Sequence, residues 1–162
     1  MKLCRCTLLF AALLLAAVAP AQAAEQALEG RLVNLPIVFE CDTPEELGRH
    51  KICNYRIQGV AIAKDGAVAQ RTIRGTLAFI KGVGPVQSYA IWTYADGSTL
   101  VMEAHGASKM NAQGKVVVEG VQTCVAATGR FAGGQCQMNW SVSQVKGGFF
   151  EGTYKGTITL PD

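Results

Sequence analysis

The chain has 162 residues, of which 49% are apolar and 17% charged, and its formal net charge at pH 7 is +3. This length suits a single domain, and the apolar fraction supports a packed core rather than a disordered chain. No basic stripe suggests a nucleic-acid partner, because proteins of that class concentrate lysine and arginine on one surface.

The first 23 residues have the pattern of a secretory signal peptide. Lys2 and Arg5 precede an apolar run of twelve residues, and Ala21-Gln22-Ala23 supplies the small residues that a signal peptidase requires. The run is shorter than the roughly 20 residues of a membrane-spanning helix. We therefore predict a signal peptide at 1–23 and a soluble mature domain at 24–162, exported to the periplasm or the extracellular medium without membrane association. An N-terminal membrane anchor is the alternative.

Alternation of apolar and polar residues with a period of two runs through most of the mature chain, which predicts strands. It is clearest around Trp140, where Met138, Trp140 and Val142 alternate with polar residues. Asp65-Gly66 and Asp96-Gly97 are typical of hairpin turns. The predicted strands, eight in number, cover residues 30–40, 52–63, 67–80, 86–95, 99–107, 115–123, 135–145 and 148–160.

Residues 42–51 carry a short helical signal. Thr43 is placed to cap a helix, Pro44 suits its first turn, and Glu46 lies three residues after Thr43. We expect a brief helix between the first two strands.

Short connections between successive strands favour antiparallel neighbours. The strand pattern predicts an all-β fold, a single eight-stranded antiparallel up-and-down barrel, because closure removes exposed sheet edges. A two-sheet β-sandwich is the alternative.

The cysteines support an oxidising compartment. Two of the six precede the apolar run, and the four that remain are Cys41, Cys53, Cys124 and Cys136. Equal separations of 12 residues favour local pairing, Cys41 with Cys53 and Cys124 with Cys136. A four-thiolate zinc site is disfavoured because no two cysteines stand in a C-x2–4-C pair. We predict two disulfides and no metal.

The aromatic residues are the closest that the sequence comes to a binding site. Trp140 lies on the apolar face of its strand, and Trp92 and Tyr94 share a face of another. In a closed barrel such rings point to a shared interior, where they either fill the core or border a small apolar pocket. The candidate ligand-binding residues are Trp92, Tyr94, Trp140 and Tyr154.

The sequence contains none of the catalytic motifs of hydrolases, metalloproteases or nucleotide-binding proteins. The two histidines, His50 and His105, are too few for the three ligands of a catalytic zinc. Glu103 and His105 share one strand face and could form an acid/base pair in a lumen. Because Leu100 and Met102 occupy the opposite, apolar face, we expect Glu103 and His105 to face solvent. The sequence indicates no cofactor and leaves the catalytic residues unknown.

Several segments in the second half of the chain resemble bacterial proteins of the dirigent and allene oxide cyclase-like barrel group. The resemblance covers roughly residues 90–161 and is most specific where the group has a G-T-G-[RK]-F-x-G segment. The segments that carry it are Asp96–Leu100, Gln113–Lys115, Cys124–Gly133, Gly152–Tyr154 and Thr157–Pro161. It implies an eight-stranded antiparallel barrel, and a homo-oligomer as in many plant members.

Two departures from the group's pattern occur at that segment. Ala127 stands in place of the first glycine, and Gly134-Gln135-Cys136 replaces a glycine-rich continuation. The catalytic residues of the plant enzymes match no position here, so the resemblance implies no active site. We expect Phe131 to plug a barrel end and Arg130 to stay exposed, in a loop that is either a barrel corner or a lip over a cavity.

Two classes of function follow from these observations. The first is an exported, non-catalytic barrel that binds an apolar small molecule or a partner protein. The second is a cyclase- or isomerase-like enzyme whose pocket acts by positioning its substrate. The first is favoured because the sequence shows no converging set of ionisable residues.

Overall fold

The computed structural model describes residues 23–161. The predicted signal peptide at 1–23 therefore lies outside the described residues, apart from Ala23. Within the described range no helix is long and apolar enough to cross a bilayer. The strands are β1 (Ala24–Asp42), β2 (Lys51–Ala63), β3 (Val68–Phe79), β4 (Gly84–Tyr94), β5 (Thr99–Met110), β6 (Val116–Ala127), β7 (Gln135–Gln144) and β8 (Phe150–Leu160).

The eight strands form one closed antiparallel barrel in chain order. Each strand pairs with the next along the chain, and β1 also pairs with β8, from Ala24 opposite Leu160 to Asn34 opposite Phe150. The predicted up-and-down barrel is confirmed. The sandwich is excluded, because the β1–β8 ladder joins the two edges that a sandwich would leave apart.

β1 is the strand whose predicted bounds were most in error. It was expected at 30–40 but spans Ala24–Asp42, because its first half pairs with β8 and its second half with β2. Residues 24–29 show no clean alternation, so their strand state depends on a partner far away in sequence. A register shift between Pro36 and Val38 bends the second half, at a residue that has no N–H to donate.

The expected helix at 42–51 is a single 3-10 turn at Glu45–Leu47. The prediction that Thr43 caps it is wrong: Pro44 holds the capping position, and its carbonyl accepts from the Leu47 N–H at 3.1 Å. The Thr43 N–H instead donates to Asp42 Oδ1 at 2.8 Å. A turn this short is closed by its own backbone bond.

The packed core fills one end of the barrel, which we call the closed end. It lies beside the β2–β3, β4–β5 and β6–β7 connections. Its fully buried side chains alternate along their strands as the period of two requires, and they include Trp92, Leu100, Met102, Met138 and Ile158.

The connection between β6 and β7 completes the closed end. Phe131 is 5% exposed and its ring lies 4.9 Å from that of Tyr94, so it plugs the barrel as expected. Arg130 is exposed, lies over the Tyr94 ring at 4.6 Å, and bonds Asp96 at 3.0 Å. The loop lies away from the open end described below, so it is a barrel corner and not a lip over a cavity.

Both predicted disulfides are present. Cys41–Cys53 links β1 to β2 at the end opposite the packed core, and Cys124–Cys136 links β6 to β7 beside it. In the chain-entropy account, a bridge closing a loop of this size contributes roughly 3 kcal/mol. One disulfide therefore lies at each end of the barrel.

Candidate functional site

The barrel interior is hollow toward the end opposite the packed core. A cavity of about 400 Å³ opens there, among the β1–β2, β3–β4, β5–β6 and β7–β8 connections; we call this opening the mouth. Interior positions that line the cavity include small residues, in contrast to the large side chains that fill the closed end. These small lining residues include Ser88 on β4 and Ser108 on β5.

The walls of the cavity are mainly apolar. Aliphatic and aromatic side chains from neighbouring strands face the space at several levels. They include Ile57, Leu77, Val86, Val118 and Val142, with the rings of Phe39, Phe79, Trp140 and Phe150. Such a surface favours the apolar part of a small molecule.

The floor of the cavity is polar, and Arg71 is its central residue. The side chain projects inward from β3 and is only 3% exposed. Its Nη1 donates to Asn34 Oδ1 at 2.6 Å, and its guanidinium carbon lies 5.0 Å from the centre of the Trp92 ring. Arg71 thus separates the cavity above from the packed aromatic core below.

Arg71 keeps its charge although no acidic side chain of residues 23–161 pairs with it. Burial lowers the pKa of Arg71 to about 10, with a smaller opposing effect from Tyr154, so the guanidinium remains protonated at neutral pH. No acidic side chain between residues 23 and 161 is buried or lines the cavity. A buried charge is ordinarily paired with an opposite one, so this arrangement is unusual.

Tyr55 stands on the wall near the floor, beside Ser88. Burial raises the pKa of the Tyr55 hydroxyl, and the Ser88 side chain opposes part of that shift, so the phenol is neutral at pH 7. Gly75 makes this placement feasible: a Cβ there would lie 2.6 Å from the Tyr55 hydroxyl oxygen.

Four buried polar atoms lack a hydrogen-bond partner within the described part of the chain. They are Arg71 Nε, Trp92 Nε1, Trp140 Nε1 and Gln122 Oε1. Arg71, Trp140 and Gln122 line the cavity. Since unpaired buried polar groups are costly, a concentration of them at one place marks a candidate site.

The structure distributes the predicted aromatic residues over two levels of the barrel. Trp140 lines the cavity, whereas Trp92 is fully buried beneath Arg71 and meets the Tyr154 ring edge-on at 5.0 Å. Tyr94 packs on Phe131 at the closed end. That all four bind a ligand stays a prediction, with Trp140 alone of the four bordering the cavity.

Sequence reasoning missed Arg71 and Gln122. A signal was present for the first: Arg71 lies between Ala69 and Ile73 on the apolar face of its strand, where a charge is unexpected. Gln122 likewise lies at an inward, buried position of its strand, β6, where an apolar residue is expected.

Glu103 and His105 lie on the outer surface, as predicted. Their side chains are 3.3 Å apart at His105 Nε2 and Glu103 Oε1, while Leu100 and Met102 point inward and are buried. No cluster of three or more potential metal ligands occurs between residues 23 and 161.

Comparison with protein-family models finds no match, and comparison with curated proteins finds no significant one. Among solved structures, the chain is similar to the pterocarpan synthase dirigent protein GePTS1, with a TM-score of 0.53 and 12% sequence identity. The alignment covers 90% of this chain and 97% of that one. At this identity the likeness concerns the fold alone, and the barrel described above is a dirigent-like β-barrel.

Proposed function

We propose that this protein is a non-catalytic barrel that binds an apolar small molecule in its cavity. The observation that carries the proposal is the hollow at the mouth end, about 400 Å³ in volume and walled mainly by apolar side chains. Small-molecule sites have volumes of roughly 300–1,000 Å³ and combine apolar walls with a few placed polar groups. The packed core closes the other end, so a ligand enters and leaves through the mouth.

Filling the cavity is expected to abolish binding. In Val118→Trp a large ring replaces a cavity-lining side chain, whereas the matched control Val68→Trp changes a side chain that is 48% exposed on the outer surface. Titration with N-phenyl-1-naphthylamine, a neutral apolar dye that fluoresces on burial, measures the effect. The wild type and Val68→Trp should bind alike, and Val118→Trp at least about tenfold more weakly, a loss of ~1.4 kcal/mol.

Absence of dye binding in a folded wild type, or equal binding by the two tryptophan variants, would contradict the proposal. Urea unfolding of each variant separates a filled cavity from a disrupted barrel, since only the second reduces the cooperativity of unfolding.

A cyclase- or isomerase-like enzyme that acts by positioning is the second candidate. The observation that favours it is that a cationic Arg71 and a neutral Tyr55 phenol line the same, mainly apolar cavity. Such groups can orient a polar substrate and stabilise developing negative charge. A bound compound recovered chemically changed after incubation would favour this candidate over simple binding.

We further propose that the mature chain is exported to the periplasm or the extracellular medium and functions there as a homo-oligomer. The two disulfides support an oxidising compartment. The first strand begins at Ala24, so cleavage after Ala23 would leave every strand whole. Oligomerisation rests on the resemblance to the barrel group noted above.

Native mass spectrometry of protein purified from its host compartment tests these points together. We expect a chain starting near Ala24 with both bridges intact, an oligomeric mass, and additional mass from a retained ligand. A chain that still carries residues 1–23, or four free thiols in the domain, would contradict export; a monomeric mass would contradict oligomerisation.

A further inference from the structure

We propose that the ligand of this cavity is an amphiphilic carboxylate, whose acid group meets Arg71 at the floor while its apolar part lies along the walls. This inference rests on the proposed function, that the cavity holds a small molecule, and specifies the chemical class of that molecule. Three independent features of the structure support it.

The first feature is a buried cation with no acidic partner among residues 23–161. Arg71 is 3% exposed and lines the cavity, and within the described part of the chain its side-chain hydrogen bond goes to the neutral Asn34 amide. Guanidinium groups pair preferentially with carboxylates through parallel N–H donors. A ligand with one negative charge would supply the partner that residues 23–161 do not.

The second feature is the excess of unpaired donors. Arg71 Nε and Trp140 Nε1 are both donors on the cavity lining without a partner in the described chain. The unpaired atom of Gln122 is an acceptor, but half a turn of its amide group presents the NH₂ donors instead. A carboxylate has two charged acceptor oxygens, so it accepts from more donors and more strongly than the single oxygen of an alcohol, whereas a protonated amine accepts from none.

The third feature is the charge at the mouth. Of the four connections there, three carry one lysine each and no acidic residue: Lys81, Lys115 and Lys146. The fourth, between β1 and β2, carries Arg49 with Glu45 and Glu46, so basic residues outnumber acidic ones by four to two at the mouth. By contrast, the connections at the closed end are balanced, with Asp65 and Asp96 against Lys64 and Arg130. Lysines around an apolar entrance raise the local concentration of anions and speed their entry.

These features define the ligand as an apolar body with a single carboxylate. One buried guanidinium compensates one charge, so a dicarboxylate would leave its second group in apolar surroundings. The walls above the polar floor are mainly apolar, so the rest of the ligand is an alkyl or aryl group.

The test compares three ten-carbon probes that differ only at the head: decanoate, decanol and decylamine. Each is titrated at pH 7.5 against wild-type protein preloaded with N-phenyl-1-naphthylamine, and displacement of the dye gives the affinity. We expect decanoate to bind about tenfold to a hundredfold more tightly than decanol, the range for a hydrogen bond to a charged group. Decylamine should bind more weakly than decanol.

Variants of β3 test whether Arg71 causes the preference for decanoate over decanol. Arg71→Met and Arg71→Gln should each lose the advantage of decanoate over decanol while still binding the neutral dye. The matched control is Arg74→Met, on the same strand but on the outer, exposed face, and it should keep the full preference. Two replacements at position 71 are used so that poor folding of one does not decide the result.

Each outcome has a distinct meaning. A decanoate preference that is lost at position 71 and kept at position 74 supports the inference. If decanol binds as tightly as decanoate, or the variants at position 71 keep the preference, the inference is overturned and the apolar cavity stands. If neither the dye nor any probe binds, the proposed function fails, and this inference with it.

Discussion

Replacing Arg71 and Asn34 together by apolar residues is expected to stabilise the ligand-free protein. The folded-state pKa of Arg71, about 10, lies below its ordinary value of 12.5, so its charged form is less favourable inside the barrel than in the unfolded chain. This cost is fully present at every pH below the folded pKa and disappears only above the unfolded one. A measurement at pH 7 therefore contains all of it.

Three variants separate the contributions of Arg71 and Asn34 to the free energy of unfolding. Asn34→Leu alone removes the bonding partner of a buried cation and should destabilise by about 1.5–3 kcal/mol. The double variant Asn34→Leu/Arg71→Met removes both groups and should gain about 1–4 kcal/mol over the wild type, the range found when a buried ion pair is replaced by apolar side chains. Arg71→Met alone should fall between them, because Asn34 is left unpaired.

Urea unfolding at pH 7, followed by circular dichroism, gives the free energies. If the double variant is less stable than the wild type, the stacking of Arg71 on Trp92 and its bond to Asn34 outweigh the cost of burying the charge. The expected gain would instead mean that this residue is retained at the expense of stability, as binding residues often are.

Trp92→Ala is expected to lower the free energy of unfolding by about 3–5 kcal/mol, the range for truncation of a large buried aromatic side chain. Trp92 is fully buried, with Arg71 above it and the Tyr154 ring against its edge. The surrounding strands are held by a closed ladder and cannot collapse into the space.

Trp140→Ala is the comparison, because the chain has two tryptophans and Trp140 borders the cavity. It should cost roughly half as much, since a ring beside an open space has contact atoms on fewer sides. Urea unfolding again measures both variants. Equal losses would mean that the two rings are packed equally, contrary to the two levels that the structure shows.

The single-tryptophan proteins also locate the ligand. In Trp92→Ala the remaining indole lines the cavity, whereas in Trp140→Ala it lies beneath the floor. A ligand in the cavity should therefore change the fluorescence of the first protein more than that of the second.

The strands could be predicted from the sequence because each strand of the barrel has one solvent-facing side and one interior side. Met138, Trp140 and Val142 alternate with polar neighbours, and their inward placement follows directly from the period of two. The disulfides were readable for a related reason: equal, short separations bring Cys41 opposite Cys53 once β1 and β2 pair.

Pairings between distant segments required the tertiary structure. Residues 24–29 join the barrel through β8, more than a hundred residues away, and carry no local pattern that predicts a strand. Thr43 has a sequence suited to capping, yet the turn that forms after it is too short to need a side-chain cap. Local propensity is a weak guide where a distant partner supplies the hydrogen bonds.

The candidate site depends on tertiary structure most of all. Alternation in the sequence placed apolar residues inside the barrel, but it could not separate a filled level from a hollow one. At the cavity the inward residues of β4 and β5 include the small Ser88 and Ser108, whereas at the closed end the same strands place Trp92 and Leu100 inside. Arg71 and Gln122 lie on different strands, β3 and β6, and only closure of the barrel brings both around one cavity.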